Sequence, residues 1–257
     1  MATEYSGEFA GTFTDGGSGG VWKGVITPDP NQLYTDFYDD FFRDDTSTTA
    51  LAAKWYNVST DTDANTAASV ILADASDAVG GKLRITTNPD VTDSGDYITL
   101  TGNQPVFYVS DAGTDADVRF ETRFKVSDAS EVALFFGLTS ANSNLCVAPE
   151  SGMGFVCRAG SVEFTEVSNN VSATTATAYT ISDNEYIRLG FIWDSTASTV
   201  TYFVNGSEIA DIALTASNSS YGPLKPGIEN ATSVDTEEST LVMDWIRVTQ
   251  PRVTNGT

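Results

Sequence analysis

The sequence predicts an all-β protein, an antiparallel sandwich or barrel preceded by an extended N-terminal arm. From Asp36 onward, short segments of alternating polarity are separated by turn signals such as Gly80-Gly81, Asn88-Pro89-Asp90 and Gly102-Asn103. Closely spaced turns of this kind are typical of antiparallel sheets. Mild helical character is confined to Asp44–Ala53, and nothing recurs at a fixed period, which argues against solenoids and propellers.

Two adjacent hairpins are the clearest local prediction, and they lie between Glu185 and Ile212. Their strands are expected at Tyr186–Asp194, Thr199–Asn205 and Glu208–Leu214. A polar turn separates the first two strands. Asn205-Gly206 joins the next two, because both positions tolerate the positive φ that a tight hairpin turn requires.

Residues 1–35 are predicted to be an arm and linker, 36–250 the β-domain, and 251–257 a C-terminal tail. The arm contains a flexible Gly/Ser link, Asp15–Gly20, followed by a short apolar strand, Val21–Ile26. It has too few apolar residues for a core of its own. Two interpretations stay open: a tail or strand belonging to this chain's own sheet, or an arm that docks on a partner by strand addition.

Charge excludes several classes of partner. The chain has 35 acidic and 13 basic residues, a net charge of -22. Such a field repels phosphate backbones and anionic membrane surfaces, so we expect neither nucleic acid nor membrane as a partner. The chain has no histidine, which excludes Ser-His-Asp and Cys-His catalysis and His-ligated zinc.

The first residues, MATEYSGEFAGTF, contain neither a basic segment nor an apolar segment of the kind that forms a secretory signal. No apolar run reaches the ~18 residues of a membrane-spanning helix. We therefore expect a chain that is made in the cytoplasm and either stays there or leaves inside an assembly or by lysis.

Cys146 and Cys157 flank the segment Ser151-Gly152-Met153-Gly154. Opposed on a hairpin, they could form a disulfide. They could equally be two buried free thiols, since two cysteines in a chain of this length do not make a disulfide framework.

Several segments in a fixed order carry a family resemblance: Tyr38-Asp39-Asp40-Phe41-Phe42, Lys54-Trp55, Val118–Val126, Val132–Leu138, the paired hairpins and Leu241–Val248. In this order the chain resembles the concanavalin A-like lectin/glucanase jelly roll, close to its laminin-G-like branch, over roughly residues 36–250. With its Gly/Ser-linked leader it also resembles minor structural and head-decoration proteins of tailed phages of marine bacteria. The resemblance implies a jelly-roll β-sandwich.

Glucanases of this fold class place alternating acidic residues on one strand, so that two or three carboxylates line the concave face. No segment here has that arrangement. Glu163 and Glu166 are three apart and fall on opposite faces of a strand, Asp115 and Asp117 lie in a turn, and Glu121 stands alone. The sequence therefore predicts that the chain is not an enzyme.

Two acidic segments, Asp61–Asn65 and Asp111–Asp117, are candidate calcium loops, although neither has the spacing of an EF-hand. We expect no cofactor, with Ca²⁺ as the open alternative.

Sugar binding requires exposed aromatic rings beside polar groups. The candidates are Tyr34, Phe37, Tyr38, Tyr108 and Tyr221, whereas Trp55, Trp193 and Trp245 lie in strand patterns and are expected in the core.

The leading functional hypothesis is a non-enzymatic virion protein, a decoration protein on the capsid of a tailed phage that is assembled in the host cytoplasm. Its expected partners are the major capsid protein or other virion proteins, and copies of itself in a dimer or trimer. The predicted docking residues are Trp22, Val25, Ile26, Tyr34 and Phe37. The alternative is a carbohydrate-binding, lectin-like module that attaches to host or environmental glycans.

Overall fold

The computed structural model describes fifteen segments of the chain: 34–39, 56–60, 69–72, 82–87, 97–102, 105, 107–109, 117–141, 145–146, 152–168, 171–174, 179–197, 199–213, 223–232 and 239–251. Every regular element in these segments is a β-strand. Within them, no helix has the length and apolar character needed to cross a membrane.

The described segments contain seventeen strands: β1 (Tyr34–Asp39), β2 (Tyr56–Thr60), β3 (Ser69–Leu72), β4 (Leu83–Thr87), β5 (Tyr97–Gly102), β6 (Phe107–Tyr108), β7 (Val118–Val126), β8 (Val132–Thr139), β9 (Gly152–Arg158), β10 (Ser161–Ser168), β11 (Val171–Thr174), β12 (Tyr179–Thr180), β13 (Ile187–Asp194), β14 (Thr199–Val204), β15 (Ser207–Ala213), β16 (Pro223–Thr232) and β17 (Ser239–Pro251).

The strands form two antiparallel sheets. The first sheet has the order β15-β14-β13-β7-β17-β4-β3, and β1 also pairs with β17. The second sheet has the order β11-β10-β9-β8-β16-β5-β2, with β12 beside β10 and β6 beside β16. This confirms the predicted antiparallel β-sandwich.

The core lies between the two sheets, where inward side chains alternate with outward ones along each strand. Phe124 of the first sheet and Phe136 of the second are in contact, with ring centroids 4.2 Å apart. Phe164 meets Phe191 edge-on at 5.4 Å. Trp193 is fully buried, as predicted. On each sheet this alternation leaves an outer face.

The predicted hairpins are confirmed. β13 pairs with β14, and β14 with β15. Asn205 and Gly206 have φ values of 50° and 81°, as the two-residue turn requires. The polar turn after β13 is held by the Asp194 carboxylate, which accepts backbone hydrogen bonds from Thr196 and Ala197.

At the N-terminal end, β1 pairs along β17 from Tyr34 opposite Pro251 to Asp39 opposite Ile246. The sheet thus includes residues that were predicted to belong to the arm and to the tail. Phe37 is partly buried and packs against the core. Trp22, Val25 and Ile26 lie outside the described residues, as do the side chain of Tyr34 and the segment Asp44–Ala53, so the docking role of the arm stays a prediction.

Candidate functional site

The outer face of the second sheet is covered by the chain's own residues. A small apolar cluster, separate from the main core, packs on it. The cluster comprises Phe135, Ala141, Leu145, Cys146 and Val156. Ala141, Leu145 and Cys146 follow β8 and lie over the strands β8, β9 and β16, so this face is closed at its centre.

Glu229 holds this cover in place. It lies on β16, near the middle of the sheet, and is only 1% exposed. Its carboxylate accepts hydrogen bonds from the backbone N–H of Leu145 at 2.7 Å and of Cys146 at 2.8 Å, and from the Thr99 hydroxyl. Arg158, on β9, donates to the Cys146 carbonyl. Three donors compensate the buried carboxylate, which in this arrangement fastens residues 145–146 to the sheet.

Three glycines are aligned across the second sheet, and the one on β16 makes room for the cover. Gly227, Gly137 and Gly154 are aligned across β16, β8 and β9. A Cβ at Gly227 would lie 2.7 Å from a Thr139 methyl carbon and 3.0 Å from Leu145. The missing side chain therefore lets the covering residues approach the sheet.

The two cysteines are free thiols, so the disulfide alternative is excluded. Cys157 points into the main core, whereas Cys146 belongs to the apolar cluster on the opposite side of the second sheet. Burial raises the pKa of the Cys146 thiol well above its ordinary value, and the Glu229 carboxylate raises it further. Burial raises the pKa of Cys157 to about 12. Both thiols are thus held in the unreactive protonated form.

No group of three or more metal-ligating side chains occurs among the described residues. Both candidate calcium loops lie outside them, apart from Asp117, whose carboxylate accepts hydrogen bonds from the backbone and hydroxyl of Ser195. A calcium site in these loops stays a prediction.

The outer face of the first sheet has a different character. It carries seven of the chain's 13 basic residues, and we call this surface the basic face. They are Lys82, Arg84, Arg119, Arg123, Lys125, Arg188 and Arg247. They come from β4 and the residue before it, β7, β13 and β17. In the described part of these four strands, the only acidic side chains on this face are Glu121, Asp194 and Asp244.

Three cations surround one aromatic ring on this face. The Arg123 guanidinium lies 4.2 Å from the centroid of the Tyr186 ring, Lys125 Nζ 5.3 Å and Lys82 Nζ 5.8 Å. The Tyr186 hydroxyl is buried and has no hydrogen-bond partner among the described residues. The ring attracts the cations through its negative face, so it gathers positive charge at one place.

Two ion pairs orient arginines of this face, one of them Arg123 itself. Arg188 Nε is 3.2 Å from Glu121 Oε1, and Arg123 pairs with Asp244. Glu121, which stood alone in the sequence pattern, is thus a buried partner for a cation of the next strand.

Trp245 corrects a prediction. It was expected in the core, but it is half-buried on the outer face of the first sheet. The cause is a β-bulge between Met243 and Trp245, which shifts the alternation by one residue. Trp245 consequently lies opposite Arg123, which in turn lies opposite Arg188.

Of the predicted sugar platforms, Tyr108 is described and is 54% exposed. The side-chain amide of Gln250 brackets it, accepting from the Tyr108 N–H and donating to its carbonyl. Phe37 packs against the core, as described above. The side chains of Tyr34 and Tyr38, and Trp55 and Tyr221 entirely, lie outside the described residues.

No family model matches the sequence, and no curated protein is significantly similar to it. Solved structures share its architecture. An endo-1,3-beta-glucanase from Streptomyces sioyaensis is 15% identical, with a TM-score of 0.55 over 87% of this chain and 99% of that one. Peanut lectin is also 15% identical, with a TM-score of 0.55 over 86% and 100%. An endo-beta-1,4-glucuronan lyase from Trichoderma reesei is 9% identical, with a TM-score of 0.54 over 82% and 94%.

The chain therefore has the concanavalin A-like lectin/glucanase jelly-roll fold, as the sequence resemblance predicted. The prediction that it is not an enzyme is wrong. That prediction used the missing carboxylate spacing to exclude catalysis, but a glucanase and a lyase are built on this same architecture. The narrower resemblance to phage decoration proteins stays a prediction.

Proposed function

We propose that this protein recognises carbohydrate, and that the contact surface is the outer face of the first sheet. The observation that carries the proposal is the pair of partly exposed rings, Trp245 and Tyr186, which lie there among arginine side chains. Aromatic rings present an apolar surface on which the C–H face of a sugar can pack. Guanidinium groups supply several hydrogen-bond donors in a fixed geometry for the sugar oxygens.

The register brings these groups together. Arg188, Arg123 and Trp245 form one cross-strand row over β13, β7 and β17. Tyr186 comes two residues before Arg188, and its ring contacts Arg123 and Lys125. Since adjacent strands are about 4.8 Å apart, a ring and its neighbouring donors can contact successive sugars of one chain.

The fold supports a carbohydrate function over the other classes considered. Among the solved structures with this architecture, one is a lectin and others are named for the glucan or glucuronan on which they act. The outer face of the second sheet is closed at its centre by Leu145 and Cys146. The outer face of the first sheet, where Trp245 and Tyr186 are partly exposed, is therefore the surface to test.

The test is a glycan microarray, followed by calorimetric titration of the polysaccharides that bind. Trp245→Ala should weaken binding about tenfold or more, as loss of a stacked ring does at other recognition surfaces. Tyr108→Ala is the control, because it removes a more exposed ring from the second sheet. Binding that depends on Tyr108 and not on Trp245 would place the site elsewhere, and an array without any bound glycan would refute the function.

Our second proposal is that the protein is carried on a virion, as a decoration or accessory protein bound to the major capsid protein. Its support is in the sequence: the apolar strand Val21–Ile26 after a Gly/Ser link suits an arm that docks by strand addition, and many copies on a shell would add their weak contacts. Quantitative mass spectrometry of density-purified particles tests it. A copy number in the tens to hundreds per particle, in the range that multivalent attachment needs, supports it, and absence from particles ends it.

A further inference from the structure

The distribution of charge on the basic face is opposite to that of the whole chain. Overall, acidic residues outnumber basic ones 35 to 13. On the outer face of β4, β7, β13 and β17 the described basic residues outnumber the acidic ones six to three. A protein so acidic has ample means to make an ordinary solvated surface from carboxylates. The gathering of its scarce cations on one sheet face therefore points to a ligand of opposite charge.

The strongest positive centre lies at Tyr186. Lys82, Arg123 and Lys125 all approach its ring within 5.8 Å of the centroid. The ring attracts all three cations through its negative face, and Arg123 also pairs with Asp244. A carboxylate or sulfate group placed here would meet three cations at once.

Arg188 and Arg123 are already oriented by Glu121 and Asp244. A guanidinium has five donors and each ion pair uses only part of them, so a held arginine can still donate to an incoming anion. The acidic partners therefore position these two cations for a ligand, and less freedom is lost when it binds.

The shape of the site favours a polymer of sugars. The basic residues spread over four adjacent strands, which makes an extended surface, and the rings of Tyr186 and Trp245 lie within it. Nucleic acid fits less well, because duplex DNA carries a charge every ~1.7 Å and the net charge of -22 repels it strongly. A polysaccharide with at most one or two charges per sugar meets less of this repulsion.

We propose that the basic face binds an acidic polysaccharide, one whose sugars carry carboxylate or sulfate groups. This inference rests on the carbohydrate-recognition function proposed above and specifies the class of glycan.

Affinity measurements on the full chain with matched polymers test it. Dextran sulfate and dextran share a backbone and differ in charge, while alginate and laminarin extend the comparison to a carboxylated and a neutral polymer. Dextran sulfate and alginate should bind at least tenfold more tightly than dextran and laminarin, and the affinity should fall as salt is raised. A single-stranded oligothymidine is included as the competing polyanion.

Variants locate the site. The double variant Lys82→Gln/Lys125→Gln should lose about tenfold in affinity for dextran sulfate, because it removes two of the three cations at Tyr186. Lys125→Arg keeps the charge and should bind like the wild type. Glu185→Gln removes an exposed acid beside Tyr186 and should bind as tightly or more tightly. Melting temperatures close to the wild-type value establish that each variant is folded.

The outcomes separate the two proposals. If dextran and laminarin bind as tightly as the charged polymers, this inference fails and carbohydrate recognition stands. If no polysaccharide binds, both fail. Tighter binding of oligothymidine than of any polysaccharide, or undiminished binding of dextran sulfate by the double variant, also overturns the inference.

Discussion

The carboxylate of Glu229 lies 2.8 Å from the backbone nitrogen of Cys146, a residue 83 positions away in the chain. With the bond from Leu145, this contact fastens a surface segment across the second sheet. The same carboxylate also accepts a hydrogen bond from the hydroxyl of Thr99, which lies on the adjacent strand 130 positions away. One buried acid thus connects three distant parts of the chain and closes one outer face of the sandwich.

Glu229→Gln should destabilise the protein by about 2–3 kcal/mol, because the amide turns one acceptor into a donor that faces other donors. Hydrogen exchange at the amides of Leu145 and Cys146 should accelerate more than in the core strands, since the cover is released first. Glu163→Gln, on the same sheet and partly exposed, is the control and should stay within about 0.5 kcal/mol. Equal losses of stability in the two variants would contradict the conclusion that Glu229 fastens residues 145–146 to the sheet.

The raised pKa of the Cys157 thiol predicts that the protein loses stability in alkali. Burial raises its pKa from an ordinary value of 9.0 to about 12 in the folded protein. As pH rises, the unfolded chain therefore releases this proton before the folded protein does. The contribution of the Cys157 thiol to the free energy of unfolding is fully present below pH 9 and is lost as pH rises towards 12. Between about pH 8 and pH 10 the loss from this group should be about 1 kcal/mol.

Urea unfolding at several pH values measures this loss. Cys157→Ala is less stable at every pH, but its stability should fall less steeply above about pH 9, since it has no thiol here to ionise. Parallel pH profiles for the two proteins would disprove the assignment. A thiol reagent should react with neither cysteine until the protein unfolds.

The buried ion pair between Arg188 and Glu121 should contribute more than its exposed neighbour. Glu121 is only 2% exposed, so Arg188→Gln removes a charged partner from a buried acid and should cost about 2–3 kcal/mol. Arg123→Gln breaks the pair with Asp244. The side chains of Arg123 and Asp244 are 43% and 22% exposed, so the loss should be less than about 1 kcal/mol. Chemical denaturation compares the two, and a double-mutant cycle with Glu121→Gln measures the coupling. A smaller loss at Arg188 than at Arg123 would reverse this ranking.

Gly154→Ala should be severely destabilising, by about 3 kcal/mol or more. A Cβ at this position would lie 2.3 Å from the Phe136 carbonyl oxygen and 2.7 Å from the Gly137 Cα, both backbone atoms that cannot move aside cheaply. Gly102→Ala is the matched control, because its Cβ would meet the Pro226 side chain at 3.1 Å, where a small shift suffices. Similar midpoints of urea unfolding for the two variants would refute the steric argument.

The hairpins were predictable because their signals are local. Asn205-Gly206 requires no distant partner to form its turn, and the alternation of Val200, Tyr202 and Val204 marks an inward face by itself. Trp245 was misplaced because one bulge reverses the alternation after Met243. The signal was present in the sequence: Leu241 and Met243 alternate in one phase, whereas Ile246 and Val248 alternate in the other.

Period-two patterns and turn residues in the sequence indicate an all-β sandwich or barrel, because they act over a few positions, and the jelly roll is implied by the family resemblance. The meeting of the scarce cations on one face and the burial of Glu229 depend on tertiary structure. Arg123, Arg188 and Arg247 are widely separated in the chain and share a face only through strand register. Glu229 takes its donors from residues 83 to 130 positions away. Such contacts depend on the pairing of distant strands, and no local pattern of residues encodes them.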